Sequence, residues 1–403
     1  MIVVSAPARA DFLNTHQDYK GLPVVPAALN IRLRVRGRVS GGDLIRVRSL
    51  NLLREGEPYE DEFRLGEISY EERGWFGNYI RAVVNVLRKY GYEGKMKGVE
   101  LEIDSEIPMG AGLGSSGALE VAVTKFFGTA FNLGLNVRKV AELSYIAERE
   151  ELGIPCGRLD QYGSAFGGII KLETRPPFRV ERLRKEDFVF VVVNSGIKHS
   201  TAEIHPKRQR EIDEGLRQLL EQKLPPRLRD LIRPRHFEVK WEEIREEDLL
   251  PYIPSIDDVP AKRILFTIRM QRSTELALKI LRNERVSRKE VMRSTGFTEE
   301  YLDRKLSLGR EDLALLGIVM DYQHTLLRDL YEVSLPEIEK IRDAMLDAGA
   351  YGAKISGAGM GGAVIAITDN EERGKEILRA GIDAGGVEGW VSRIGEGVRV
   401  ENA

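Results

Sequence analysis

Val99, Leu101 and Ile103 alternate with Glu100, Glu102 and Asp104, a period of two that predicts a half-buried strand ended by Pro108. Ile31 to Arg38 alternates in the same way. Trp75 to Tyr90 carries its apolar residues at helical spacing, a helix opens at Ser115 and runs to about Asn132, and Val137 to Glu151 forms another. Phe188 to Val193 is a continuous apolar run of strand length, expected to be buried on both faces, and the domain boundary is placed beside it. The second half begins with NSGIKHS and turns helical. A charged, proline-rich interval from Leu224 to Pro260 reads as an irregular or inserted segment, and helices resume at Ala261. Gly352 to Ile367 reads as two apolar strands around a glycine-rich loop. No internal repeat is present. The pattern predicts an α+β protein of two domains, residues 1–190 and 191–403.

Between the Val99 strand and the Ser115 helix lies PMGAGLGSSG, residues Pro108 to Gly117. Gly110, Gly112 and Gly114 allow the backbone to pass close to an anion with its N–H groups turned inward. Ser115 and Ser116 open a helix whose positive N-terminal end adds to the attraction. The segment reads as a phosphate cradle for a nucleoside triphosphate, with a tight turn and N-cap as the alternative. No GxxxxGK[ST] occurs, and no acidic residue closes a compact βαβ unit, which excludes a Walker loop here and a dinucleotide site. Gly357, Gly359 and Gly362 also satisfy GxGxxG, but the strand before them is short and no acidic partner follows.

Composition narrows the field. The 403 residues, 42% of them hydrophobic, suffice for a core in each of two or three domains. A formal net charge of −2 argues against nucleic acid or an anionic membrane as partner. No apolar stretch is long enough to span a bilayer, and Met1 leads into IVVSAPARADF without a basic n-region, so a cytoplasmic location is expected. The single cysteine, Cys156, cannot form an intrachain disulfide, and five scattered histidines offer no zinc-like spacing. Mixed-sign charge runs such as ERLRKEDF read as solvated faces.

Three segments together resemble the GHMP kinases, a superfamily of small-molecule kinases: PMGAGLGSSGA at its phosphate loop, GAKISGAGMGGAVIA at its C-terminal glycine motif, and APARADFLNTHQDYKGLPVVPAAL at the segment that contacts the sugar in its galactokinase branch. AERE with LGIPCGRLDQYGSAFGG, then NSGIKHS and HTLLRDLYEVSLPEI, extend the likeness. The resemblance implies a two-domain fold with the active site in the interdomain cleft, and transfer of the γ-phosphoryl group of ATP to a sugar hydroxyl, most simply the anomeric one, with Mg²⁺. A mevalonate- or homoserine-type kinase and a catalytically silent sugar sensor are the alternatives.

The roles it implies fall on particular residues. Pro108, Gly110, Ala111, Gly112, Leu113, Gly114, Ser115, Ser116 and Gly117 would hold the nucleotide, and the Ser116 hydroxyl with the Glu148 carboxylate would hold Mg²⁺. Asp160, expected in a polar loop between Gly157 and Gly163, would take or orient the acceptor proton, paired with Arg9. Thr15, His16, Asp18, Tyr19, Gly157 and His205 would surround the sugar, Gly157 by leaving it space, and Lys354, Gly357 and Gly359 would form the floor. Two departures stand out. Thr15 replaces the galactokinase glutamate and Gln17 its threonine, which implies a sugar altered at one end.

Overall fold

The computed structural model describes residues 1–197 and 201–401. Among the described residues, twelve strands form two sheets. The first joins β1 (Ile2–Leu13), β2 (Val25–Val39), β3 (Leu44–Ser49), β4 (Glu60–Arg64) and β5 (Val99–Ser105), with β6 (Ile169–Leu172) paired to β2 and β7 (Val180–Leu183) paired to β6. The second joins β8 (Val189–Asn194), β9 (Gly352–Ser356), β10 (Ala363–Thr368) and β11 (Glu388–Arg393) in the order β11-β8-β10-β9, all antiparallel. The last strand, β12 (Arg399–Val400), returns to the first sheet, Val400 opposite Val4. A division at residue 190 that assigns all of 191–403 to one unit therefore differs from the strand pairing, because the C-terminus supplies hydrogen bonds to the exposed edge of β1.

Helices Ser115–Ala130 and Leu159–Phe166 pack on β1. The Ser115 helix is apolar around most of its circumference and buried to match. The helix begun at Val137 ends at Ile146 and passes into a wider, π-type turn, Ala147–Glu151, which carries Glu148. Asp160 lies in the first turn of the Leu159–Phe166 helix, not in a loop. Leu159, Tyr162 and Ala165, three residues apart, bury one face of that helix and outweigh the local glycines.

The two sheets share one continuous core. Phe12 at the end of β1 meets Phe190 of β8 edge to face, ring centroids 5.0 Å apart, and the amide of Asp11 donates to Ser356 Oγ at 3.0 Å. Residues 224–260 hold short helices, Pro226–Leu231 and Glu246–Leu249, and a small core of their own. Leu228, Val239 and Trp241 pack there against Ile212 and Leu216 of helix Thr201–Leu220 and Ile264 of helix Asp258–Leu281.

Helix Glu311–Asp329 lies on β9 backbone to backbone, where a Cβ added to Gly317 would stand 2.0 Å from the Tyr351 carbonyl oxygen. Neither main chain can yield cheaply. Gly317→Ala is therefore expected to cost about 1–3 kcal/mol or more. Urea denaturation of the variant reads the cost, and a change within about 0.5 kcal/mol would contradict the close approach.

Candidate active site

Gly110, Gly112 and Gly114 all take left-handed φ values, 74°, 73° and 73°, so the loop coils in a way that L side chains resist. Ala111 and Leu113 bury their side chains between them and anchor the loop, while Gly112 and Ser116 face an open cavity of about 250 Å³. The loop is fastened to β1 twice: the Arg9 amide donates to the Leu113 carbonyl at 3.0 Å, and Arg9 Nη1 donates to the Gly112 carbonyl.

The same arginine grips Asp160. Its Nε and Nη2 donate to Oδ1 and Oδ2, each at 2.8 Å, a two-pronged pair with Arg9 nearly buried. Burial opposes the guanidinium charge, but Asp160 outweighs it and holds Arg9 above its ordinary range. Gly117 explains how helix and carboxylate come so close: a Cβ there would lie 2.9 Å from Asp160 Cβ.

Glu148 is buried on the cavity wall, where Ser116 and Cys156 hydrogen bond to it and Gln161 Nε2 donates at 2.6 Å. Burial and the neighbouring Asp160 push its carboxyl upward. Gln161 Nε2 also reaches Glu120 Oε2 at 2.9 Å, so one amide holds two buried acids together, and burial followed by Glu148 raises Glu120 as well. Sequence reasoning missed Glu120 and Gln161. A lone charge inside the apolar run GALEVAV was the available signal. It also missed Asp11 and Arg73, which line the cavity.

At the other end the chain leaves β1 through Asn14 and His16, both at φ 64°, and the turn carries Asp18 and Tyr19. His16 Nε2 donates to the Ala358 carbonyl at 3.0 Å, and its Nδ1 accepts from the Tyr19 hydroxyl at 3.2 Å. This two-sided bonding fits the neutral ring that burial and His205 favour. The Tyr19 hydroxyl also meets that of Tyr331, and the His205 ring packs against His16 and Tyr19. Burial, then Asp11, pushes Asp18 up to about 6.

Other positions differ from expectation. Gly157 leaves its space to Asp18: a Cβ there would stand 1.8 Å from Asp18 Oδ2. Lys354 is fully buried below the cavity, donating from Nζ to the Asp11 carbonyl (2.9 Å), Thr15 Oγ1 (2.9 Å) and the Ile355 carbonyl (2.8 Å), so it is a strut joining β1 to β9 and not an exposed floor. Burial lowers it to about 8 against the pull of Asp11. Gly357 lines the cavity, whereas Gly359 packs on Val333. Gln17 is buried with its amide on the Thr267 carbonyl. Of the NSGIKHS motif, Lys198, His199 and Ser200 lie outside the described residues.

A glycine-rich loop at a helix N-terminus facing a carboxylate clamped by arginine, with a cluster of hydrogen-bonding side chains beyond, has the parts that phosphoryl transfer to a hydroxyl requires. Comparison with known proteins makes this specific. Three family models match in chain order: the galactokinase galactose-binding signature over residues 1–39, the GHMP kinases N terminal domain over 78–168 and the GHMP kinases C terminal domain over 305–386. Galactokinase from Roseiflexus is 28% identical over 91% of this chain and 83% of its own, and that from Pyrococcus furiosus 27% over 94% and 93%. The crystal structure of Lactococcus lactis galactokinase complexed with galactose shares the fold, with TM-score 0.78, 24% identity, and 99% and 94% of the two chains covered. The chain belongs to the GHMP kinase superfamily. Within it, this is an ATP-dependent sugar kinase of the galactokinase type.

Asp18 supplies a test of the site's electrostatics. Its folded value, about 6, lies above that of an exposed aspartate, so the native state binds the extra proton and loses stability as pH rises from about 4 to about 6. Asp18→Asn is expected to gain stability relative to wild type over that interval and hold the gain at pH 7. Chemical denaturation at several pH values measures it, and a pH-independent difference would contradict a strained carboxylate.

Proposed function

We propose that this kinase transfers the γ-phosphoryl group of ATP to the anomeric hydroxyl of galactose or a closely related aldose. The observation that carries the proposal is the position of the Arg9–Asp160 pair, on the wall of one cavity that also holds Gly112 and Ser116 on one side and His16 and Asp18 on the other. The loop Pro108 to Gly117 cradles the phosphates with its amides, helped by the helix N-terminus. Asp160 accepts or orients the proton of the attacking hydroxyl, and Arg9 stabilises charge on the transferring group. Asp18, His16, Tyr19 and His205 orient the sugar. Ser116 and Glu148 are hard oxygen donors suited to Mg²⁺, and the desolvated Glu148 carboxylate gains from a cation beside it. Bound there, Mg²⁺ would supply neutralisation of the phosphate charge.

Thr15 does not empty the pocket of negative charge. Asp11 stands beside it on the wall, hydrogen bonded to it, with Oδ1 buried and without a partner. A buried acceptor left open is costly unless a ligand hydroxyl fills it, so Asp11 supports a sugar that keeps a hydroxyl at this end. A phosphorylation assay across galactose, pentoses, uronic acids and C6-altered hexoses, with product position read by phosphorus NMR, tests the assignment. Phosphorylation at a position other than C1 would overturn it.

Asp160→Asn is expected to lower kcat by about 10²-fold or more with the KM for ATP nearly unchanged. Near wild-type turnover would remove Asp160 from the mechanism. Glu148→Gln is expected to raise the Mg²⁺ concentration needed for half-maximal rate, since a neutral amide is the weaker ligand. An unchanged magnesium titration would assign Glu148 a structural role only.

A further inference from the structure

We propose that the acceptor site continues beyond Asp18 into a second chamber that takes a glycosyl group attached to the sugar, so that the preferred acceptor is a disaccharide with a free reducing end. The inference rests on the first cavity being the sugar site. A second cavity of about 400 Å³, larger than the first at about 250 Å³, adjoins it and shares Asp18, Cys156, Gly157 and His205. None of Arg9, Gly112, Ser116, Glu148 and Asp160 lines it. It therefore lies on the side of the sugar remote from phosphoryl transfer and away from the phosphate loop, which makes it an extension of the acceptor site and not of the nucleotide site.

Its walls match a sugar ring. Phe237 is 54% exposed and offers aromatic surface for the C–H face of a ring. Arg149, Gln209 and Thr174 supply hydrogen-bonding groups at the same cavity, and Arg149 has no carboxylate partner among the described residues. His236 donates from Nδ1 to Asp213 at 2.7 Å, which leaves Nε2 as an acceptor. This mixture of aromatic faces and planar polar groups suits a polyol better than an alkyl chain.

The wall is also held in place. His236 and Phe237 belong to the 224–260 segment, whose Trp241 Nε1 donates to the His236 carbonyl at 2.8 Å while Arg175 Nη2 donates to the Val239 carbonyl at 2.7 Å. Val239 and Trp241 are buried in the segment's own core. The segment thus presents a preorganised surface, which lowers the cost of binding.

Calorimetric titration and kcat/KM for galactose and for (1→3)-, (1→4)- and (1→6)-linked galactosyl-galactose test the proposal, since each disaccharide keeps a free anomeric hydroxyl on its reducing ring. At least one isomer is expected to bind about tenfold or more tighter than galactose. Phe237→Ala, and separately Arg149→Gln at an exposed position, are expected to bring that isomer back toward galactose affinity while galactose itself changes by less than about twofold. Weaker binding of every disaccharide than of galactose, or equal losses for both in the variants, would overturn the proposal. If galactose is phosphorylated while no disaccharide binds, the chamber falls and the sugar-kinase reading stands. If galactose and the disaccharides all fail to bind, both fall.

Discussion

One buried guanidinium organises this molecule. Arg9 extends from the middle of β1 and is committed at once to the Asp160 carboxylate, the Gly112 carbonyl and, through its own amide, the Leu113 carbonyl. A cation this deeply buried is stable only when fully partnered. Its partners are therefore forced to converge: the glycine-rich loop, the helix bearing Asp160 and strand β1 cannot separate without leaving a charge unpaired. The shape of the cavity follows from this coupling, because the glycine-rich loop and the Asp160 helix share one anchor.

The second constraint is the junction of the sheets. β1 enters as a member of the first sheet and ends against the second, where Phe12 meets Phe190 and the Asp11 amide reaches Ser356. Lys354 ties the same place from the other side, spending all three of its protons on Asp11, Thr15 and Ile355 oxygens. A continuous core across the junction makes the cleft a fixed feature of one body, with acceptor residues from the first half set against Gly357 and Ala358 from the second.

The 224–260 segment shows how such a scaffold acquires individual character. Its small core leans on helices that the rest of the fold already requires, so it can differ without disturbing the junction of the sheets, and its edge, at His236 and Phe237, lines the second cavity together with Asp18 and His205. The edge-to-face contact between His236 and Tyr19, centroids 5.9 Å apart, connects this added wall to the turn that carries Asp18 and Tyr19.

Local patterning along the chain was enough to place β2, β5, β8, β9 and β10, the helices opening at Ser115 and Val137 and the glycine-rich loop, because hydrophobic periodicity and glycine conformation act over a few neighbouring residues. Arg9, Asp160, Ser116, Glu148 and Asp18 were singled out through the resemblance of their motifs to the GHMP kinases, and the fold brings all five to the wall of one cavity. What the sequence could not supply were facts of distance. Asp160 sits in a helix because Leu159, Tyr162 and Ala165 find a core to bury in, and Gly157 is a glycine because Asp18, far away in the chain, occupies its side-chain space. Lys354 became a strut and Asp11 an open carboxylate only when β9 was laid against β1, and Glu120 joined Glu148 only through Gln161. In each case the deciding partner lies tens to hundreds of residues away, so burial and pairing, and the chemistry they set, were decided by the tertiary structure alone.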